Sequence, residues 1–252
     1  MIRHLRPDAV IHTQALSDVD RCEREPALAA ELNVQTVANV VEACESTESV
    51  LLALSTDYVF DGRKGAPYDE SDPPHPINTY GRSKLEGERA ALSYPLSVVI
   101  RPSTLFGPGR MNFCDYVVSR VKTGQPVEAF IDQVTSPTYT KDLADGIGEL
   151  LAAIRRVSFR ALPSRIVHMA NTGGCSRLEF AQRVADLLGA PRTHIRAIQM
   201  AQQERPAPRP PFTMLTSLHL PQLIGRRLRS WDEALQAYLA SLVHSTSSGT
   251  AS

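Results

Sequence analysis

The sequence predicts an α/β protein built on a doubly wound parallel sheet, with helices packed on both faces. Three observations carry that reading. Short apolar runs at Ala9-Val10-Ile11, Val50-Leu51-Leu52-Ala53-Leu54 and Val98-Val99-Ile100 lack the strict alternation of a one-sided sheet, and so suit strands covered on both sides. Segments with helical spacing of apolar residues separate these runs, and such alternation implies parallel pairing. A length of 252 residues allows one domain, or one domain with a smaller lobe, around a sizeable core.

Taken in order, the first strand covers Ala9 to Ile11. From Pro26 to Glu45, Leu28, Leu32, Val37, Val40, Val41 and Cys44 recur at roughly helical spacing. The Val50–Leu54 strand follows, and Tyr80 to Leu92 then reads as a helix, rich in helix formers. After the Val98–Ile100 strand the pattern loosens. Asp142 to Ile154 places Leu143, Ile147, Leu150, Leu151 and Ile154 on one side of a helix, and Ile166 to Met169 reads as a further strand. Ser176-Arg177-Leu178-Glu179 and Ser230-Trp231-Asp232-Glu233 are capping boxes, each opening a helix. The proline-rich run from Arg205 to Pro211 reads as a loop over the small lobe, and the polar tail from Ser245 to Ser252 as disordered. Residues 1–244 thus form one unit. Residues 1–125 supply mainly the sheet core and site, and 126–244 mainly a smaller lobe interleaved with it.

Composition excludes several function classes. Lysine plus arginine equal aspartate plus glutamate at 27 each, so no global field favours nucleic acid or an anionic membrane. Cys22, Cys44, Cys114 and Cys175 lie far apart without a CxxC pair or a histidine at ligand spacing, which argues against a disulfide framework or a metal site. The start of the chain lacks an apolar signal region and no apolar run reaches the roughly 20 residues of a membrane span. The expected location is the cytoplasm.

The chemistry concentrates in two stretches. Leu54-Ser55-Thr56-Asp57-Tyr58-Val59-Phe60-Asp61-Gly62 is a strand ending in hydroxyls, and Tyr80-Gly81-Arg82-Ser83-Lys84 opens a helix. In a parallel sheet, ligands bind beyond the carboxyl ends of the strands, so both would face one crevice. Tyr80 and Lys84 share a helix face at i and i+4. A phenol with an ordinary pKa near 10 is a poor acid–base group at neutral pH, and a neighbouring ammonium favours its phenolate, so Lys84 is expected to bring Tyr80 toward the working range. A hydroxyl such as that of Thr56 can hydrogen-bond a carbonyl oxygen as charge develops on it.

These residues resemble the dTDP-4-dehydrorhamnose reductase family of extended short-chain dehydrogenases/reductases. The resemblance runs from about Arg6 to Leu242. It rests on Ser55 to Gly62, on Tyr80-Gly81-Arg82-Ser83-Lys84-Leu85-Glu86-Gly87-Glu88, and on Asp132-Gln133-Val134-Thr135-Ser136-Pro137-Thr138-Tyr139. It implies a Rossmann-like sheet with a C-terminal substrate lobe, and NADPH- or NADH-dependent reduction of the C4 keto group of dTDP-4-dehydrorhamnose to dTDP-L-rhamnose. By the resemblance Tyr80 is the proton donor, Lys84 orients the cofactor ribose, and Thr56 steadies the keto oxygen. Ala15, Leu16, Ser17, Ser55, Pro102 and Ser103 would approach the cofactor. Thr56, Asp57 and Arg209 would meet the nucleotide-sugar substrate. No metal, nucleic acid or membrane partner is implied, and a homodimer is the assembly the resemblance allows.

The chain departs from the family at two places that bear on the cofactor. Where the family has Asn-Ala-Ala-Ala stands His12-Thr13-Gln14-Ala15, and His12 reads as a strand-end histidine satisfied by its neighbours. A dinucleotide fingerprint needs glycines in the turn from the first strand to the first helix, and none is present. Gly62-Arg63-Lys64-Gly65, Gly107-Pro108-Gly109 and Gly146-Ile147-Gly148 read instead as turn or helix-packing glycines. The expectation is therefore a sheet lacking the family's first strands, in a truncated form of a longer reductase or in one with weakened cofactor binding. The ribose-reading residues that separate NADH from NADPH would follow the absent second strand. A non-catalytic regulatory subunit on the same fold, like the methionine adenosyltransferase beta subunit, is the alternative from another class. Another sugar-nucleotide 4-ketoreductase or epimerase is a third.

Overall fold

A computed structural model of the protein describes residues 1–156 and 159–247. Four parallel strands form the main sheet in the order Ala9–His12, Val50–Leu54, Ser97–Arg101, Ile166–His168. All three apolar runs at the front of the chain are strands, in the register Val10↔Leu51 and Leu52↔Val98. Every residue of Ser97–Arg101 is buried, as continuous apolar strands in a doubly covered sheet must be. The edge strand Ala9–His12 is less covered, with Ile11 exposed.

Helices cover both faces. On one, Val37, Val41 and Cys44 of Thr36–Glu45 and Ala91 of Thr79–Leu92 pack on Leu51, Ala53 and Val99. On the other, Leu143, Ile147 and Leu150 of Thr140–Ile154 pack on Leu52, Val98 and Ile100. The alternation of side chains along a strand separates these two cores.

A second lobe has a core of its own. Helices Phe113–Lys122, Arg177–Leu187 and Trp231–Ser247 enclose Phe106, Tyr139, Phe180, Leu235 and Tyr238 beside the parallel pair Val127–Phe130 and Ile195–Ile198. Because Ile166–His168 belongs to the main sheet, the chain crosses between the lobes more than once. Both capping boxes form, Ser176 with Glu179 and Ser230 with Glu233. The last helix runs to Ser247, so the expected disorder from Ser245 is corrected for three residues, and 248–252 lie outside the described residues. No helix among the described residues is long and apolar enough to cross a membrane.

The helix expected over Pro26 to Glu45 is interrupted. Glu31–Gln35 winds as a π segment between Pro26–Ala30 and Thr36–Glu45, a device frequent at functional sites. The interruption turns Asn33 inward. Its amide grips both backbone groups of Leu16, at 2.7 and 3.2 Å, and accepts nothing from solvent because the residue is fully buried; its Nδ2 also donates to Ser83 Oγ at 2.9 Å.

Gly87 makes room for this contact. A Cβ there would lie 2.3 Å from the Asn33 carbonyl oxygen, a backbone atom with little freedom to move. Gly87→Ala is expected to destabilise the protein by about 1–3 kcal/mol. Thermal denaturation would read it, and an unchanged melting temperature would show that the two helices can separate freely.

Candidate active site

The carboxyl ends of the sheet strands and the second lobe enclose a cleft of about 450 Å³, lined among others by Ser17, Ser55, Thr56, Tyr80, Pro102 and Arg177. Asn78 caps the Thr79–Leu92 helix by accepting from Gly81 N at 2.8 Å, which fixes where Tyr80 enters the cleft. Gly81 allows that approach, since a Cβ would sit 2.2 Å from the Tyr58 carbonyl oxygen. Tyr80 is buried, packs edge-on against Tyr58 with ring centres 5.7 Å apart, and shares the cleft with Thr56. The Thr56 hydroxyl donates to Asp57 Oδ1 at 3.1 Å and accepts from Tyr58 N at 3.2 Å.

Lys84 lies one turn beyond Tyr80, buried, with Nζ donating to the Leu54 carbonyl at 2.7 Å. Burial pushes its ammonium down to about 8, against the pull of Glu88. The expectation that Lys84 lowers the Tyr80 phenol is corrected. Burial, the largest influence, pushes that phenol above its ordinary value; the neighbouring Thr56 hydroxyl opposes it, and Asp57 adds to the rise.

The remaining expected residues divide between the cleft and its support. Ser17, Ser55 and Pro102 line the cleft. Leu16 packs beside Tyr80 with Cys22 and Ala29, while Ala15 is half-buried behind it. Ser103 and Thr213 both donate to Asp57 Oδ2, at 2.8 and 2.5 Å. Ser103 therefore supports Asp57 rather than lining the cleft. With Thr56 on its other oxygen, the Asp57 carboxylate is taken up internally, and burial pushes its pKa up.

His12 is a further correction. Its Nε2 is buried with no hydrogen-bond partner among the described residues, so its neighbours do not satisfy it. Burial and the Lys84 charge hold its pKa below the ordinary imidazole value. Both influences favour the neutral imidazole, whose Nε2 is left unsatisfied.

A second chamber of about 470 Å³ adjoins the cleft and shares Ser17, Tyr58 and Arg177 with it. Arg177, Arg205 and Arg209 converge on it. Arg209 is paired with Asp20 through bonds of 2.8 and 2.9 Å. Among the described residues no carboxylate hydrogen-bonds Arg177 or Arg205, whose guanidinium groups lie 4.7 Å over the rings of Phe113 and Phe130. Burial pushes the pKa of both arginines down, and Tyr58 and Asp57 oppose it at Arg177. The proline-rich run is a loop, but it spans the lobes rather than covering the small one: Arg209 reaches Asp20, and Asn78 Nδ2 donates to the Pro208 carbonyl at 2.9 Å.

Sequence reading missed Asn33, Arg177, Arg205 and Glu88 as parts of this site. Arg177 lies inside the Ser176–Glu179 capping box, a local pattern that carries no sign of the cleft. No group of His, Cys, Asp or Glu among the described residues could hold a metal ion.

A parallel α/β sheet with a Tyr-Lys helix and a threonine converging beyond its carboxyl ends has the architecture of a short-chain dehydrogenase/reductase. Comparison with known proteins narrows that class. The family model for the RmlD substrate binding domain matches residues 1–244. A dTDP-4-dehydrorhamnose reductase of Mycolicibacterium smegmatis is 34% identical over 245 residues, covering 96% of this chain and 73% of that protein. Among solved structures, a dTDP-4-dehydrorhamnose reductase of Clostridium acetobutylicum superposes with a TM-score of 0.87 at 30% identity, covering 96% of this chain and 83% of that one. Another, from Bacillus anthracis in complex with NADP, gives 0.86 at 30% identity over 95% and 83% of the two chains. This chain belongs to the dTDP-4-dehydrorhamnose reductase family.

Proposed function

We propose that this chain reduces the 4-keto group of dTDP-4-dehydrorhamnose to the alcohol of dTDP-L-rhamnose, using NADPH or NADH. The observation that carries the reading is the convergence of Tyr80 and Thr56 in one cleft, with Lys84 buried on the same helix face as Tyr80. The nicotinamide supplies the hydride when bound. Ser55, Ser17 and Pro102 line the cleft that would take it, Lys84 on the Tyr80 helix would meet its ribose, and the orphaned Nε2 of His12 is a polar atom that a ribose hydroxyl could satisfy.

The remaining chemistry belongs to the protein. The Thr56 hydroxyl, turning from Asp57 Oδ1, donates its one hydrogen bond toward the keto oxygen as negative charge develops there. Tyr80 then gives its proton to that oxygen. A phenol held protonated by burial suits this direction, because it stays a proton source at neutral pH while a nascent alkoxide is far more basic. The Lys84 ammonium supplies positive charge beneath the reacting region.

Substrate recognition follows from the second chamber. Arg177 and Arg205, lacking carboxylate partners, match the two charges of a sugar diphosphate, and Phe113, Tyr116 and Phe130 offer apolar faces for a base. Arg209, held by Asp20, shapes the wall instead. A multiple-turnover assay following loss of the reduced nicotinamide with dTDP-4-dehydrorhamnose tests the reading, and a fluorescence titration measures cofactor affinity. Turnover with either cofactor is expected. Tight binding of both ligands without turnover would favour a regulatory role.

A further inference from the structure

Tyr80, Lys84 and Glu88 stand at i, i+4 and i+8 on the Thr79–Leu92 helix, and all three are buried against the strand ends. The first two belong to the proposed chemistry. Glu88 does not, yet its buried carboxylate accepts three hydrogen bonds from two strand ends. Arg101 donates to it through Nε at 2.8 Å and Nη2 at 2.6 Å, and Ser55 donates its hydroxyl to the same Oε1. Arg101 ends the strand Ser97–Arg101, and Ser55 directly follows Val50–Leu54. Arg101 also lies 3.5 Å from His168 Nε2 at the end of the next strand and 5.3 Å over the Phe60 ring.

Two consequences follow. Mechanically, Glu88 joins one helix to the ends of two strands, one of which leads straight into Thr56. The rotation of the helix, and with it the spacing of Tyr80, Lys84 and Thr56, is set by this clamp. Electrically, the titratable groups around the Lys84 ammonium are His12 on the edge strand, Asp57 beyond the second strand, Arg101 on the third, and Tyr80 and Glu88 on its own helix. Asp57 is taken up by Thr56, Ser103 and Thr213, and His12 is neutral.

We propose that Glu88 is the positioning residue of the Tyr80–Lys84 pair, clamping their helix to the strand ends through Ser55 and Arg101 and supplying the countercharge of the Lys84 ammonium. The proposal rests on the catalytic reading of that pair. Its test has a readout that is independent of turnover. With lysines isotope-labelled at Cε, the Lys84 signal is assigned in the cofactor-free protein by its loss in Lys84→Met, then followed against pH. Burial already places this group near 8, with Glu88 holding it up. Loss of the carboxylate lets it fall further, so the ammonium discharges at lower pH.

In Glu88→Gln the Lys84 titration is therefore expected to move down by about one pH unit or more, with the alkaline limb of kcat moving the same way. Glu88→Asp, which keeps the charge, should hold the titration near its original place while lowering kcat through the shortened clamp. If Glu88→Gln does not fold, Glu88→Gln with Arg101→Met removes both buried charges and the clamp together, and is read by kcat, which is expected to fall. An unchanged Lys84 titration in a folded Glu88→Gln variant, or an unchanged kcat in the double variant, overturns the proposal. Full activity in Tyr80→Phe would refute the catalytic reading separately, leaving the titration result to stand on its own.

Discussion

Tyr80→Phe is expected to lower kcat by roughly 10²–10⁴-fold, the range for loss of a positioned acid. The substitution keeps the ring that packs against Tyr58 and beside Leu16 and Cys22, so melting temperature and the fluorescence-monitored cofactor affinity should change little. Steady-state kinetics with the nucleotide sugar decides the matter. A kcat within a few-fold of the parent would place the proton source elsewhere, and the buried phenol would then be a packing group.

Arg177→Met is expected to act on binding instead. Charge-assisted hydrogen bonds contribute about 1.5–3 kcal/mol, so KM for the nucleotide sugar should rise by roughly 10–100-fold with kcat reduced far less. A contact to a remote diphosphate is made equally in the ground and transition states. Methionine keeps much of the stem that lies over Phe113 while removing the charge. Because that charge has no carboxylate hydrogen-bonded to it in the folded chain, its removal should leave the melting temperature unchanged or raise it. A lowered melting temperature with KM unaltered would show that Arg177 serves the fold of the second lobe and not its ligand.

These contrasting roles explain why some of the site was legible in the sequence and some was not. Thr56, Tyr80 and Lys84 are local features: a strand end, and two positions one helical turn apart. Periodicity brings such residues to one side without any knowledge of distant contacts. Glu88 continues the same stripe and was legible as spacing, but its partners Arg101 and Ser55 come from separate strands, so its function as a clamp was not. Asn33 was hidden for another reason. A π segment adds a residue to the turn, shifting the face that a 3.6-residue period would assign.

Strand positions, the two capping boxes and the residues of the Tyr-Lys helix were determined by the sequence alone, because each is specified by neighbours within a few positions. What only the tertiary structure decided is electrostatic and long-range. Burial raises the Tyr80 phenol against the expected influence of Lys84, since desolvation depends on everything packed around a group and not on its spacing. Arg177, Arg205 and Arg209 share a chamber only because the second lobe folds back over the sheet. Charges remote in sequence become neighbours when a crossing chain closes the cleft, and pattern along the chain carries no record of that closure.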